Sequence, residues 1–182
     1  MNTIDPRRCA LVLVDYQARL MPAIHEGDQA LAAACKLADV AGELSIPVVG
    51  TEQNPAGLGP NVDEIRRRCQ ATVSKMSFDA CADGLLDWLR TQGNALTDVV
   101  VAGCESHVCL MQTTLGLLRA GYRTWVVADA CGSRFPTDKA LAMARLQGAG
   151  ATLVSGEMVA FEWLQSCENE RFKPVLARLK QP

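Results

Sequence analysis

The sequence predicts an α/β fold of three layers, in which helices cover both faces of a central, mostly parallel β-sheet. Short apolar runs alternate with longer segments of helical periodicity along most of the chain. Several of these runs are hydrophobic almost throughout, which is typical of parallel strands covered on both faces. Because the 182 residues show no repeat, linker or low-complexity stretch, we predict a single domain over residues 1–182.

In the first half of the chain, residues 9–15 are near-continuously apolar and predict a buried strand. Segment 29–44 is rich in Ala and Leu at helical spacing, and 47–51 is a short β-branched run that favours a second strand. Two prolines and two glycines within 53–60 predict a long loop. A third short strand is predicted at 71–74.

In the second half, 83–92 predicts a helix, and the apolar run 98–103 predicts a buried strand. A helix at 108–120 follows, then a β-branched strand at 123–128 and a helix at 137–148. The remaining predicted elements are a strand at 152–155 and helices at 158–164 and 172–179.

Composition argues against several classes of partner. The net charge is −2, and the longest basic cluster, 66–68, lies in an amphipathic stretch and is interpreted as a solvated helix face. No apolar run reaches the length of a membrane span, and residues 1–6 do not resemble a signal peptide. We therefore expect a cytoplasmic protein with a small-molecule substrate and neither a nucleic-acid nor a membrane partner.

The eight cysteines contain no C-x-x-C pair, and the two histidines are not paired in spacing. These patterns favour neither a disulfide framework nor a zinc site. Most of the cysteines fit small buried hydrophobic residues. We expect no metal and no cofactor.

Three residues suited to covalent chemistry follow predicted strands. Asp15 ends the first strand, Lys75 follows the third, and Cys109 lies at the start of the helix after the fourth. Ligands bind beyond the carboxyl ends of parallel strands. A cysteine at a helix start is expected to favour the thiolate, with Asp15 as the proton acceptor and Lys75 as the stabilising cation.

Five segments carry a resemblance to a known family. They are Leu-Val-Leu-Val-Asp-Tyr-Gln (11–17), Thr-Glu-Gln-Asn-Pro-Ala-Gly-Leu-Gly-Pro (51–60), Val-Ser-Lys-Met-Ser-Phe (73–78), Val-Ala-Gly-Cys-Glu-Ser-His-Val-Cys-Leu-Met-Gln-Thr (101–113) and Val-Val-Ala-Asp-Ala-Cys-Gly-Ser-Arg (126–134). In this order they resemble the isochorismatase-like cysteine hydrolase superfamily, which has a Rossmann-like topology. Segment 51–60 further resembles the subfamily of isochorismatase domain-containing proteins.

The resemblance implies an Asp-Lys-Cys triad of Asp15, Lys75 and Cys109, and assembly into a dimer or larger homo-oligomer. It also implies an oxyanion hole formed by the backbone N–H groups of Glu105 and Cys109, with a cis peptide bond between Cys104 and Glu105. Two departures restrict the reaction. The loop after the second strand lacks the histidines of the nicotinamidase metal site, and true isochorismatases lack the nucleophilic cysteine that this chain has.

Four further residues are candidates for substrate binding. Glu52 and Gln53 either line the pocket or cap backbone groups, and Phe78 belongs to the pocket wall or the core. Arg134 either binds an acidic substrate group or pairs with a partner subunit. His107 is either a second base or a packed turn residue.

Two functions remain open at this point. The first is hydrolysis of a small amide or related C–N bond through a thioester on Cys109. The second is an interaction or scaffold protein that preserves the fold and the site with little or no turnover. The reactivity of Cys109 toward a thiol-directed probe separates them.

Overall fold

A computed structural model describes residues 3–93 and 95–180. Its centre is a six-stranded sheet in the order β3-β2-β1-β4-β5-β6, and every strand pair in it is parallel. The strands are β1 (Cys9–Val14), β2 (Val48–Gln53), β3 (Ala71–Lys75), β4 (Asp98–Gly103), β5 (Arg123–Val127) and β6 (Thr152–Val154). The predicted α/β architecture with a parallel sheet is confirmed.

Eight α-helices lie in the described part of the chain: α1 (Gly27–Glu43), α2 (Pro55–Leu58), α3 (Asp63–Arg66), α4 (Leu85–Thr91), α5 (Met111–Arg119), α6 (Pro136–Gly148), α7 (Gly156–Leu164) and α8 (Phe172–Leu179). Within the same residues, no helix combines the length and the apolar character that crossing a membrane requires.

The side chains of the two central strands, β1 and β4, alternate between two hydrophobic clusters, which explains why these two strands are apolar at every position except Asp98. Leu11 and Leu13 of β1 join one cluster with α1, α7 and α8. Val12 and Val14 join the other cluster with α4, α5 and α6. The three predicted layers are therefore present, and both faces of the sheet are covered.

The order of the strands creates one crevice at the carboxyl edge of the sheet. From β1 the chain proceeds to β2 and β3 on one side, whereas from β4 it proceeds to β5 and β6 on the other. β1 and β4 are neighbours, and the connections that follow these two strands lead toward opposite ends of the sheet. This is the topological switch point at which open parallel sheets bind their ligands.

The structure differs from the prediction in two local places. The segment 53–60 is not a loop throughout, because Pro55 begins the short helix α2; a proline fits the first turn, where no intrahelical N–H bond is lost. The helix predicted at 108–120 is preceded by a turn of π-helix, Ser106–Leu110, and becomes α-helical only at Met111.

Candidate active site

A buried ion pair lies at the carboxyl edge of the sheet. Asp15 follows the last residue of β1 with a φ of 55°, and Lys75 is the last residue of β3. Lys75 Nζ lies 2.8 Å from Asp15 Oδ2, and both side chains are 0% exposed. Charges this far from water are retained only when they are paired and hydrogen-bonded.

Strand β2 lies between these two residues and supplies their remaining hydrogen bonds. Thr51 Oγ1 donates to Asp15 Oδ1 at 2.6 Å. Lys75 Nζ donates to Gln53 Oε1 at 2.9 Å, and Gln53 Nε2 donates to the carbonyl of Met76 at 2.9 Å. Of the two polar candidates on β2, Gln53 therefore belongs to the site. Thr51 was not among the predicted residues, although its spacing of two from Gln53 places it on the same face of the strand.

Cys109 lies in the π-helical turn and is 6% exposed. The Asp15 carboxylate and the Lys75 ammonium both influence the pKa of its thiol, so the three side chains lie close together. The structure thus brings together the three residues that the sequence placed after three separate strands.

The protonation state of Cys109 differs from the expectation. Burial raises the pKa of its thiol to about 12, and the negative charge of Asp15 adds to this effect, while Lys75 opposes it. The expected lowering of the pKa by a helix start is wrong for the free protein, because desolvation of the thiolate outweighs the opposing charge of Lys75. The thiol therefore carries its proton until a base removes it.

The peptide bond between Cys104 and Glu105 is cis, which is the geometry that the family resemblance implies. The carbonyl of Glu105 accepts hydrogen bonds from the N–H groups of Val108 at 3.0 Å and Leu110 at 3.2 Å. Among the described residues, none accepts a hydrogen bond from the N–H of Glu105. This N–H is therefore free to donate to a ligand.

A strap formed by residues 131–134 runs beside the turn 103–109. The N–H of Gly132 donates to the carbonyl of Gly103 at 3.2 Å, and the N–H of Ser106 donates to the carbonyl of Gly132 at 2.7 Å. The Ser106 hydroxyl donates to the same carbonyl at 2.9 Å. The strap therefore continues the parallel pairing of the sheet beyond β4 and fixes the backbone of the turn.

Two side-chain contacts complete this arrangement. Arg134 Nε donates to Glu105 Oε1 at 2.7 Å, so the Arg134 guanidinium is engaged within its own chain. His107 Nδ1 lies 3.0 Å from Ser133 Oγ, and His107 Nε2 lies 3.8 Å from Asp138 Oδ2. His107 thus packs against the strap, which agrees with its interpretation as a turn residue.

The other two candidates lie outside the triad. Glu52 points to the opposite face of β2 from Gln53, where its Oε1 accepts a hydrogen bond from the N–H of Asn61 at 2.8 Å and shapes the segment that returns from α2. Phe78 is half-exposed beyond the end of β3. Among residues 3–93 and 95–180, no group of three or more His, Cys, Asp or Glu side chains is placed to hold a metal ion.

Comparison with known proteins identifies the family. The fold and the site define an α/β protein with a buried Asp-Lys-Cys cluster at the switch point of its sheet. A model of the isochorismatase domain matches residues 9–158, and the chain belongs to this family. It is 32% identical over 182 residues to isochorismatase domain-containing protein 2A of Mus musculus, covering 100% of this chain and 87% of the relative.

Two solved structures are similar over nearly the whole chain. One, described as the MAR1 ribonuclease from Caenorhabditis elegans, is 31% identical with a TM-score of 0.92 and covers 99% of this chain and 93% of its own. The other, the YcaC gene product of Escherichia coli, is described as an octameric hydrolase of unknown specificity. It is 25% identical with a TM-score of 0.90 and covers 98% of this chain and 89% of its own.

Proposed function

We propose that this protein is a cysteine hydrolase that cleaves a small amide or related C–N bond through a thioester on Cys109. The observation that carries the proposal is the buried Asp15–Lys75 pair, with the Cys109 thiol near enough for both partners to influence its pKa. A scaffold function does not require two buried charges beside a thiol. Acyl transfer, in contrast, needs a nucleophile, a base and a cation in this arrangement.

The raised pKa of Cys109 sets the order of the first step. Since the thiol is protonated in the free protein, Asp15 accepts the Sγ proton while the sulfur attacks the substrate carbonyl carbon. A C–S bond forms, and the carbonyl oxygen becomes an oxyanion. Lys75 keeps its charge beside the newly protonated Asp15 and stabilises the negative charge that passes through the site.

The N–H groups of Glu105 and Cys109 are proposed to hold that oxyanion. Collapse of the tetrahedral intermediate breaks the C–N bond, and the proton held by Asp15 passes to the leaving nitrogen. A water molecule then gives its proton to Asp15 and attacks the thioester. The C–S bond breaks, the acid leaves, and the Asp15 proton returns to the sulfur.

Cleavage of RNA is not part of this proposal, although one similar structure is described as a ribonuclease. Binding of a phosphate backbone requires unpaired cations. In this chain the longest basic cluster contains Arg66 and Arg68, which form ion pairs with Asp63 and Asp39. We therefore keep a small molecule as the proposed substrate.

The test is a screen of small amides and carbamoyl compounds, read by release of ammonia. We expect at least one compound to be turned over by the wild-type protein and not by Cys109→Ala. Cys9→Ala is the matched control, since it removes a buried thiol at the start of β1, the opposite end of that strand from Asp15. Equal turnover by Cys109→Ala would refute the mechanism.

The scaffold alternative makes a different prediction for the same proteins. With p-nitrophenyl acetate, an activated ester that acylates thiols, a hydrolase gives a burst of p-nitrophenolate that disappears in Cys109→Ala. A scaffold gives the same slow release in both proteins, and that outcome would favour the alternative.

A further inference from the structure

The side chain of Glu105 presents an electrostatic problem for the proposed oxyanion hole. Glu105 supplies a backbone N–H to the developing negative charge, yet its own carboxylate is only 13% exposed. A partly buried negative charge on the donor residue would repel the oxyanion, because the low dielectric of the site screens the two charges weakly.

Arg134 forms an ion pair with this carboxylate. Its Nε donates to Glu105 Oε1 at 2.7 Å, a charge-assisted hydrogen bond that neutralises the carboxylate and fixes its direction. Arg134 belongs to the strap, whose backbone already holds the turn through Gly132 and Ser106. The backbone of the turn is therefore held by hydrogen bonds that do not involve the Arg134–Glu105 ion pair.

We propose that Arg134 is a positioning residue for acyl transfer: it holds and neutralises the Glu105 side chain so that the Glu105 N–H faces the oxyanion without a competing negative charge. This inference rests on the proposed function. It assigns Arg134 to the reaction without any contact to the substrate, in place of binding an acidic substrate group.

Two reactions of the same thiol separate this role from a general structural one. Acylation of Cys109 by p-nitrophenyl acetate passes through a tetrahedral oxyanion and needs the hole. Alkylation by iodoacetamide displaces iodide at a saturated carbon and forms no oxyanion. The ratio of the acylation rate to the alkylation rate therefore reports on the hole and is independent of the reactivity of the thiol.

We expect Arg134→Gln to lower this ratio about tenfold, less than the roughly 100- to 1,000-fold loss caused by removal of a whole oxyanion donor. Arg134→Lys should recover part of the loss, since an ammonium also neutralises Glu105. The double variant Glu105→Gln/Arg134→Gln should be closer to wild type than Arg134→Gln alone, because it removes the unpaired carboxylate and leaves the backbone N–H in place.

The matched control is Arg90→Gln, which breaks an ion pair of the same 2.7 Å length with Asp87 on a surface helix and should leave the ratio unchanged. An unchanged ratio in Arg134→Gln would overturn the inference, as would a double variant that is worse than Arg134→Gln. If the wild-type protein gives no acylation burst that depends on Cys109, the proposed function itself fails, and this result is distinct from either of the other two.

Discussion

The buried pair of Asp15 and Lys75 makes a prediction that needs no substrate. Replacing Lys75 by Met keeps the length of the side chain and removes its charge. At the 2.8 Å separation of Nζ and Oδ2, Coulomb's law with an effective dielectric constant of about 20 gives an attraction of about 6 kcal/mol. Desolvation of the two groups offsets part of this attraction. Loss of one partner leaves the Asp15 carboxylate uncompensated, which typically costs about 3–5 kcal/mol.

The assay is urea unfolding of four proteins: wild type, Lys75→Met, Asp15→Asn and the double variant. Each single variant should lose about 3–5 kcal/mol of the free energy of unfolding. The double variant should lose less than the sum of the two by about 2–3 kcal/mol, because it contains no unpaired charge. Lys173→Met, at an exposed position on α8, is the control and should change stability by less than about 0.5 kcal/mol.

The reasoning would be refuted if the losses of the two single variants sum to the loss of the double variant within about 0.5 kcal/mol. Additive losses indicate that the two groups do not interact. Should Lys75→Met fail to fold, the double variant still decides the matter. A double variant that is folded where the single is not demonstrates the coupling, and one that also fails to fold contradicts it.

Three further predictions concern the thiol, the backbone and the assembly. Because burial raises the pKa of Cys109 to about 12, its alkylation rate should rise about tenfold per pH unit between about pH 6 and pH 9; a plateau near neutral pH would contradict this. A Cβ on Gly103 would clash with the carbonyl oxygen of Val14, whereas one on Gly42 meets nothing within 4 Å. In thermal unfolding, Gly103→Ala should cost about 1–3 kcal/mol and Gly42→Ala should gain about 0.5–1 kcal/mol; equal effects would be inconsistent with the packing. Light scattering should show a dimer or larger assembly, as for the octameric relative, and Leu141→Glu, at a position 70% exposed on α6, should weaken it; a wild-type monomer at all concentrations would exclude it.

The sequence predicted most of the fold because the sheet is covered on both faces. Strand β1 is apolar at every position, and β4 is apolar at every position after Asp98, so the pattern itself reveals them. The helix α2 was missed because Pro55 and the nearby glycines indicate a turn equally well when no tertiary contact is known. The proximity of Asp15, Lys75 and Cys109 was predicted from the rule that the carboxyl ends of parallel strands meet at one edge of the sheet.

Two properties of the site could not be obtained from the sequence in this way. The pKa of Cys109 depends on how much water reaches the sulfur, and this burial is a property of the assembled layers. Arg134 and Glu105 are 29 positions apart, and their contact arises only because the strap pairs with the turn. The roles of Thr51 and Gln53, by contrast, were accessible from strand alternation, which places Glu52 on the other face.

The alternation along β2 makes the chemistry of the site sensitive to the length of this strand. Thr51 and Gln53 reach Asp15 and Lys75 because alternate residues of a strand point to the same face. Deleting one residue earlier in β2 would exchange the two faces and present Glu52 to Lys75 in place of Gln53. A second carboxylate would then compete with Asp15 for the same ammonium, and the proton from Cys109 would have two possible acceptors. Because Gln53 carries a neutral amide, Asp15 remains the sole carboxylate partner of Lys75 in the cluster. This pairing depends on the register of β2.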